Sequence, residues 1–235
     1  MGASKANCTV CGKPLLYFDE AQDVRCDVCG KPDTGRCICT DGHYVCDACH
    51  RERGVEAIMD ACLRADERDP IALAQRIMAD ERIYPNGPEH HTLAGAVLLA
   101  AHRNAGGDVD LLHALSELRS RSMQVPGGSC GYWGCCGAAI GAGQFYSIAV
   151  GCTPLKRQEW ADSARLVSDI MGAIADIGGP RCCKRTSFVA LETAARHIER
   201  TTGVAMDVPE RITCTFMSGN EQCLRANCPY FPAAD

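Results

Sequence analysis

From Val55 onward the apolar residues recur at three- and four-residue steps, and this spacing predicts helices and nothing else. Val55, Ile58, Met59, Cys62 and Leu63 fall on one face. The same reading predicts helices near 55–67, 70–80, 89–104, 109–122, 137–150, 155–177 and 184–201. Asp69 and Pro70 supply an N-cap and a first-turn proline for the second of these. Asp108 is expected to cap the fourth, turning Leu112, Leu115 and Leu118 inward. Thr153 and Pro154 are expected to cap the sixth, with Trp160, Val167, Ile170, Met171, Ile174 and Ile177 as its stripe. The segment from Glu89 to His102 has scarcely a polar face and reads as a central buried helix. Cys62 sits on an apolar stripe and reads as a small buried hydrophobe.

Residues 8–49 show no such period and few aliphatic side chains, so they lack the means to build a core. Their cysteines fall in close pairs: Cys8/Cys11, Cys26/Cys29, Cys37/Cys39 and Cys46/Cys49. Eight sulfurs make two four-thiolate zinc sites, and closely spaced cysteines can chelate one ion from a tight turn. Gly12 and Gly30, directly after Cys11 and Cys29, suit a knuckle in which backbone amides point at sulfur. Two pairings remain open, one sequential and one cross-braced, the latter joining the first pair with the third. His43 could replace Cys37 or Cys39, but is expected to be a turn residue beside the site. The fold class expected is mainly α: a helical, cysteine-rich domain over 54–235, preceded by a zinc-binding module over 1–53 that the metal staples together.

Composition narrows the function. Of 235 residues, 46% are hydrophobic and 23% charged, with a net charge of −5. That balance disfavours a nucleic-acid surface. No run approaches the roughly 18 to 20 apolar residues that span a bilayer, and Met1–Asn7 lacks the apolar core of an export signal, so a cytoplasmic location is expected. In a reducing compartment, 18 cysteines point to metal binding or redox chemistry.

Nine of those cysteines lie beyond residue 129, and the stretch Pro126–Cys152 concentrates four of them, Cys130, Cys135, Cys136 and Cys152, among eight glycines. A second glycine-led loop, Gly178–Lys184, carries Cys182 and Cys183. Each loop feeds cysteine into a helix start, where peptide dipoles stabilise negative charge. The two loops are therefore expected to share one site, with Cys136 and Cys183 as reactive thiols. Cys130, Cys182, Cys214, Cys223 and Cys228 are expected to hold a cofactor, a four-iron iron–sulfur cluster being one that such thiolates suit. The small residues Gly137/Gly141 and Ala138/Ala142 would let a second helix backbone come close. His90 and His91 are candidate proton carriers. As neighbours on a helix they project about 100° apart, so regular backbone should not turn both toward one site, and they could instead simply cap a helix end.

At CGAAIGA, Cys136–Ala142, the chain resembles, over few residues, the proteins named for a C-GCAxxG-C-C motif, to which redox chemistry is ascribed. A longer resemblance runs from GPEHH (Gly87–His91) through PGGSCGYWGCCGAAIGAG, TPL and GGPRCCKR to Asn220, Cys223, Cys228 and Pro229. It is to an uncharacterised, cysteine-rich family of unknown function associated with anaerobic metabolism and sometimes accompanying methyltransferase-like proteins. The resemblance implies where the site is; Cys135 is the position expected to matter least. The function expected is an iron–sulfur or dithiol enzyme in sulfur transfer or redox chemistry, acting on a small-molecule or protein thiol or sulfur partner. The competing expectation is a non-catalytic metal or sulfur carrier, or a zinc-stabilised interaction module.

Overall fold

The computed structural model describes residues 8–233; Met1–Asn7, read above for an export signal, and 234–235 lie outside the described residues. The chain divides into two compact units, 1–54 and 55–235.

In the first unit, strands β1 (Leu15–Arg25) and β2 (Pro32–Cys39) pair antiparallel, with Leu15 opposite Cys39 and Arg25 opposite Pro32. A bulge interrupts the register between Tyr17 and Gln22. These strands were not expected from the sequence. The hairpin exposes most of both faces, so no alternation of polar and apolar residues marks it. Helix α1 (Asp47–Leu63) begins inside this unit, eight residues before the position that its apolar spacing suggests.

The second unit is helical: α2 (Pro70–Met78), α3 (Glu89–Asn104), α4 (Leu111–Ser122), the single turn α5 (Ser129–Tyr132), α6 (Gly137–Ala149), α7 (Gln158–Ile177) and α8 (Cys183–Thr202). Mainly α is therefore the fold class. Asp69 caps α2, accepting from the Ile71 and Ala72 amides at 2.7 and 3.1 Å, a bond type worth about 1 kcal/mol. The cap of α4 is Asp110 rather than Asp108, accepting from His113 at 3.1 Å. That shift of two residues turns Leu111 inward and leaves Leu112 67% exposed. Helix α7 begins at Gln158, not beside Thr153 and Pro154, and only Leu166 and Ile170 on it are fully buried. Trp160, expected in its stripe, is exposed.

Helix α3 is the axis of this unit, buried continuously from Glu89 to His102. It packs on α2, α4, α6 and α8. Its closest neighbour is α6, because small residues let the backbones touch: a Cβ on Gly141 would lie 2.2 Å from the His91 carbonyl oxygen. The reciprocal notch is Gly95, where a Cβ would meet the Gly141 carbonyl at 2.7 Å. Beyond α8 the chain is irregular apart from two 3-10 turns, Met217–Gly219 and Arg225–Asn227. This tail is tied down by Gln75 Nε2 donating to the Thr213 carbonyl at 2.7 Å and by Tyr230, whose ring meets Phe188 edge-on at 5.4 Å.

Candidate functional site

In the first unit the sulfurs gather into two sets: Cys8, Cys11, Cys39 and His43, and Cys26, Cys29, Cys46 and Cys49. Within each set the ligand atoms lie within 4.8 Å of one another. Cys11 and Cys39 Sγ are 3.4 Å apart, Cys29 and Cys46 Sγ 3.8 Å. A tetrahedron with Zn–S of about 2.3 Å has an edge of about 3.8 Å, and both donor sets are those of zinc. The pairing is the cross-braced one, first pair with third and second with fourth.

His43, not Cys37, is the fourth member of the first set, and β2 supplies the reason. On an extended strand, residues two apart are separated by about 6.6 Å, too far for one tetrahedral edge, so the Cys37/Cys39 pair cannot chelate from there. The turn that follows does bring donors together: the Cys39 amide donates to the His43 carbonyl at 2.8 Å and the Gly42 amide to Cys39 at 2.7 Å. Knuckle geometry recurs on the other ligands. Val10 N–H points at Cys8 Sγ and Asp41 N–H at Cys39 Sγ, both at 3.4 Å. Gly12 and Gly30 take the positive φ values of 74° and 69° that these turns require.

The charge balance of each set asks for a cation. Burial would raise the Cys26 thiol, but the amides of Cys46, Cys29 and Val28 outweigh it and bring the thiol down to about 6. Cys39 behaves alike, burial being outweighed by the Asp41 amide and by His43, again reaching about 6. Their neighbours move the other way. In Cys11 the Lys13 amide lowers the thiol, but burial and the sulfurs of Cys39 and Cys8 together outweigh it and push the thiol to about 11. Burial and the facing sulfurs carry Cys49 to about 12. Without an ion, Cys26 and Cys39 ionise first while Cys49 and Cys11 hold their protons; a bound dication would let the thiols of each set ionise together.

In the second unit the two cysteine loops meet. A cavity of about 280 Å³ is lined by Cys130 and Cys136 from the first loop, by Cys182 and Cys183 from the second, and by His90 and His91. Three helix starts supply these residues. His90 and His91 lie in the first turn of α3, Cys136 is the N-cap of α6, and Cys182 and Cys183 are N-cap and first residue of α8. The two histidines both border the cavity because it lies off the end of α3 rather than against its side, so their angular separation does not divide them. Cys135 and Cys152 are half-buried and do not line it.

Charged residues that the hydrophobic pattern does not reveal hold the cavity in shape. Arg185, 4% exposed, donates to the Gly178 and Pro180 carbonyls at 2.8 and 2.7 Å and so fixes the second loop. Asn86 Oδ1 accepts from the Cys183 amide at 3.0 Å and caps α8. The Glu89 carboxylate, also buried, accepts from the Tyr84 amide at 3.2 Å and lies 3.3 Å from His90 Nδ1. Burial pushes His90 toward its neutral form, despite Glu89. His90 Nδ1 donates to the Gly87 carbonyl at 3.1 Å, which leaves buried Nε2 as an acceptor with no hydrogen-bond partner. Burial also pushes the Cys183 thiol up to about 12, against the Gly87 amide that lowers it, and charge on Cys136 pushes it the same way.

Cys182 also faces a second, smaller pocket, together with Cys214, Cys223 and Cys228. Cys130 borders only the first cavity. The residues expected to hold a cofactor therefore divide: Cys130 lines the first cavity alone, Cys214, Cys223 and Cys228 the second alone, and Cys182 both. Lys184 and Asn220 complete the smaller pocket. Of these Lys184 carried no signal in the sequence, since a lysine in a helix start ordinarily faces solvent.

Comparison with protein families places this geometry. A model for a family of unknown function, DUF5714, matches residues 58–231. The chain belongs to the DUF5714 family. The match takes in α2 to α8, the cavity and the tail, and leaves out the two zinc-sized sets. No curated protein and no solved structure matches the chain. No helix among the described residues is long and apolar enough to cross a membrane.

Proposed function

We propose that the DUF5714 domain is a thiol-dependent enzyme of redox or sulfur-transfer chemistry, with the 280 Å³ cavity as its active site. The observation that carries this reading is the meeting of two glycine-led cysteine loops and the start of α3 around one cavity. Its volume is near the lower end of small-ligand sites, about 300–1,000 Å³, which favours a small thiol or disulfide over a protein segment.

Cys136 attacks a sulfur of a bound disulfide; a Cys136–substrate disulfide forms and the first substrate thiolate leaves. Cys183 then loses its proton and attacks the Cys136 sulfur, releasing the second thiolate. The enzyme pair ends as a disulfide and the substrate has gained two electrons. Cys183 suits the second role because burial keeps it a thiol until a base is at hand. The unpartnered Nε2 of His90 is that base, and His91 borders the path by which protons reach the leaving thiolates. Three helix starts facing the cavity stabilise the thiolates that form at each step. The zinc-sized sets serve to fold the first unit and take no part in the exchange.

Treating the full chain with hydroxyethyl disulfide tests this. Cys183→Ser should accumulate a mixed disulfide at Cys136, located by peptide mass spectrometry, while the unsubstituted chain goes on to a Cys136–Cys183 disulfide. A Cys183→Ser chain that carries no more adduct than Cys136→Ser would overturn the proposal.

A further inference from the structure

We infer that Cys182, Cys214, Cys223 and Cys228 ligate a four-iron iron–sulfur cluster in the pocket between α8 and the tail. The four line one pocket, and its remaining wall is largely apolar, including Phe188, Phe216, Leu224 and Phe231. Four cysteines in an apolar pocket are the ligand count and the surroundings that such clusters take.

The backbone around these sulfurs is arranged as it is around the zinc-sized sets. Phe216 N–H points at Cys214 Sγ and Arg225 N–H at Cys223 Sγ, each at 3.4 Å and each from two residues downstream. That is the spacing and distance found at Cys8 and Cys39. Arg225 itself lies in the left-handed region, φ 53°, where a side chain costs roughly 1 kcal/mol or more, the one such non-glycine residue among those described. The buried amide of Asn220 donates to Cys182 Sγ at 3.3 Å. Three N–H groups thus aim at three of the four sulfurs, and hydrogen bonds of this kind set a cluster's potential.

Both sets in the first unit draw their ligand atoms within 4.8 Å, whereas the cysteines of this pocket form no such compact group among the described residues. A cluster places iron and sulfide between its thiolates, so it is compatible with ligands more widely spread than those of one ion. Lys184 supplies the opposite charge. It is 3% exposed, donates to the Met78 carbonyl at 3.2 Å and sits 4.9 Å from the centre of the Phe216 ring. A buried cation beside four thiolates offsets the net negative charge of a thiolate-ligated cluster.

The test is reconstitution of the full chain with ferrous iron and sulfide without oxygen, read by metal and sulfide analysis, the visible charge-transfer band and the paramagnetic resonance signal after dithionite. Roughly four iron and four sulfide per chain are expected. Cys182→Ser, Cys214→Ser, Cys223→Ser and Cys228→Ser should each lose the band, with helical circular dichroism and zinc content unchanged; Cys62→Ala and Cys130→Ser should keep it. Should a serine variant unfold, X-ray absorption of iron in the unsubstituted chain decides, an all-sulfur shell with short iron–iron contacts being expected. Zinc alone in this pocket, or a band that survives Cys214→Ser and Cys228→Ser but vanishes with Cys130→Ser, would overturn the inference. Iron content is independent of the mixed disulfide at Cys136, so either proposal can fail while the other stands.

Discussion

A methyl group is too large for position 141. A Cβ there would stand 2.2 Å from the His91 carbonyl oxygen and 3.4 Å from the Gly95 amide, both backbone atoms held within α3. Gly141→Ala should therefore force α3 and α6 apart and cost about 1–3 kcal/mol of stability. Gly172 on α7 makes the contrast, since a Cβ there would meet nothing within 4 Å. Gly172→Ala should stabilise the domain by about 0.4–1 kcal/mol, because only the unfolded chain loses freedom. Thermal denaturation of the two variants checks both signs; a Gly141→Ala chain as stable as the parent would mean that the helices are not in backbone contact. Other residue roles are set by partners distant in sequence. Lys184 and Arg185 look like solvated charges at a helix start, yet their partners are the carbonyls of Met78, Gly178 and Pro180. No local pattern announces that burial.

Secondary-structure elements were legible in proportion to how much apolar surface they bury. Helix α3 runs Glu89–Asn104, where the spacing puts it, and α2, α6 and α8 start within a residue of their expected positions. Strands β1 and β2 escaped, since a hairpin held by metal ligands at its ends has no need of an inward stripe. The same hairpin decides which residues bind. Cys37 lies within the extended strand, whereas His43 follows the turn that closes on Cys39. His43→Ala should halve the zinc bound by the full chain, and Cys37→Ser should leave it whole. Metal analysis after dialysis distinguishes the two, and equal loss from both would reject the assignment of the first set. Acid should release zinc from either set, because thiolates and imidazole must lose protons to bind it.

At the scale of the molecule, the helical unit buries histidines that it holds neutral. Burial lowers His90, His102 and His197, in the last of these with the Arg200 charge adding to it. A group whose folded pKa lies below its unfolded value stabilises the fold above the unfolded value and loses that contribution as pH falls. The urea midpoint of the helical signal should therefore drop as pH falls through about 6.5, the range where unfolded histidine takes up its proton. Replacing His102 with Gln should flatten the slope, and a midpoint constant over that range would show that the histidines are solvated. The sequence puts both loops and the tail cysteines at one site, whereas the structure divides them between two cavities that share a wall. That wall contains Cys182, which faces both. Charge on its sulfur raises the proton affinity of Cys183 on one side and of Cys214 on the other. Arg185 stands in the same wall. The two compartments therefore have an electrical boundary of one thiol and one guanidinium in common, and a change of charge in one is felt in the other with no hinge to swing and no helix to slide.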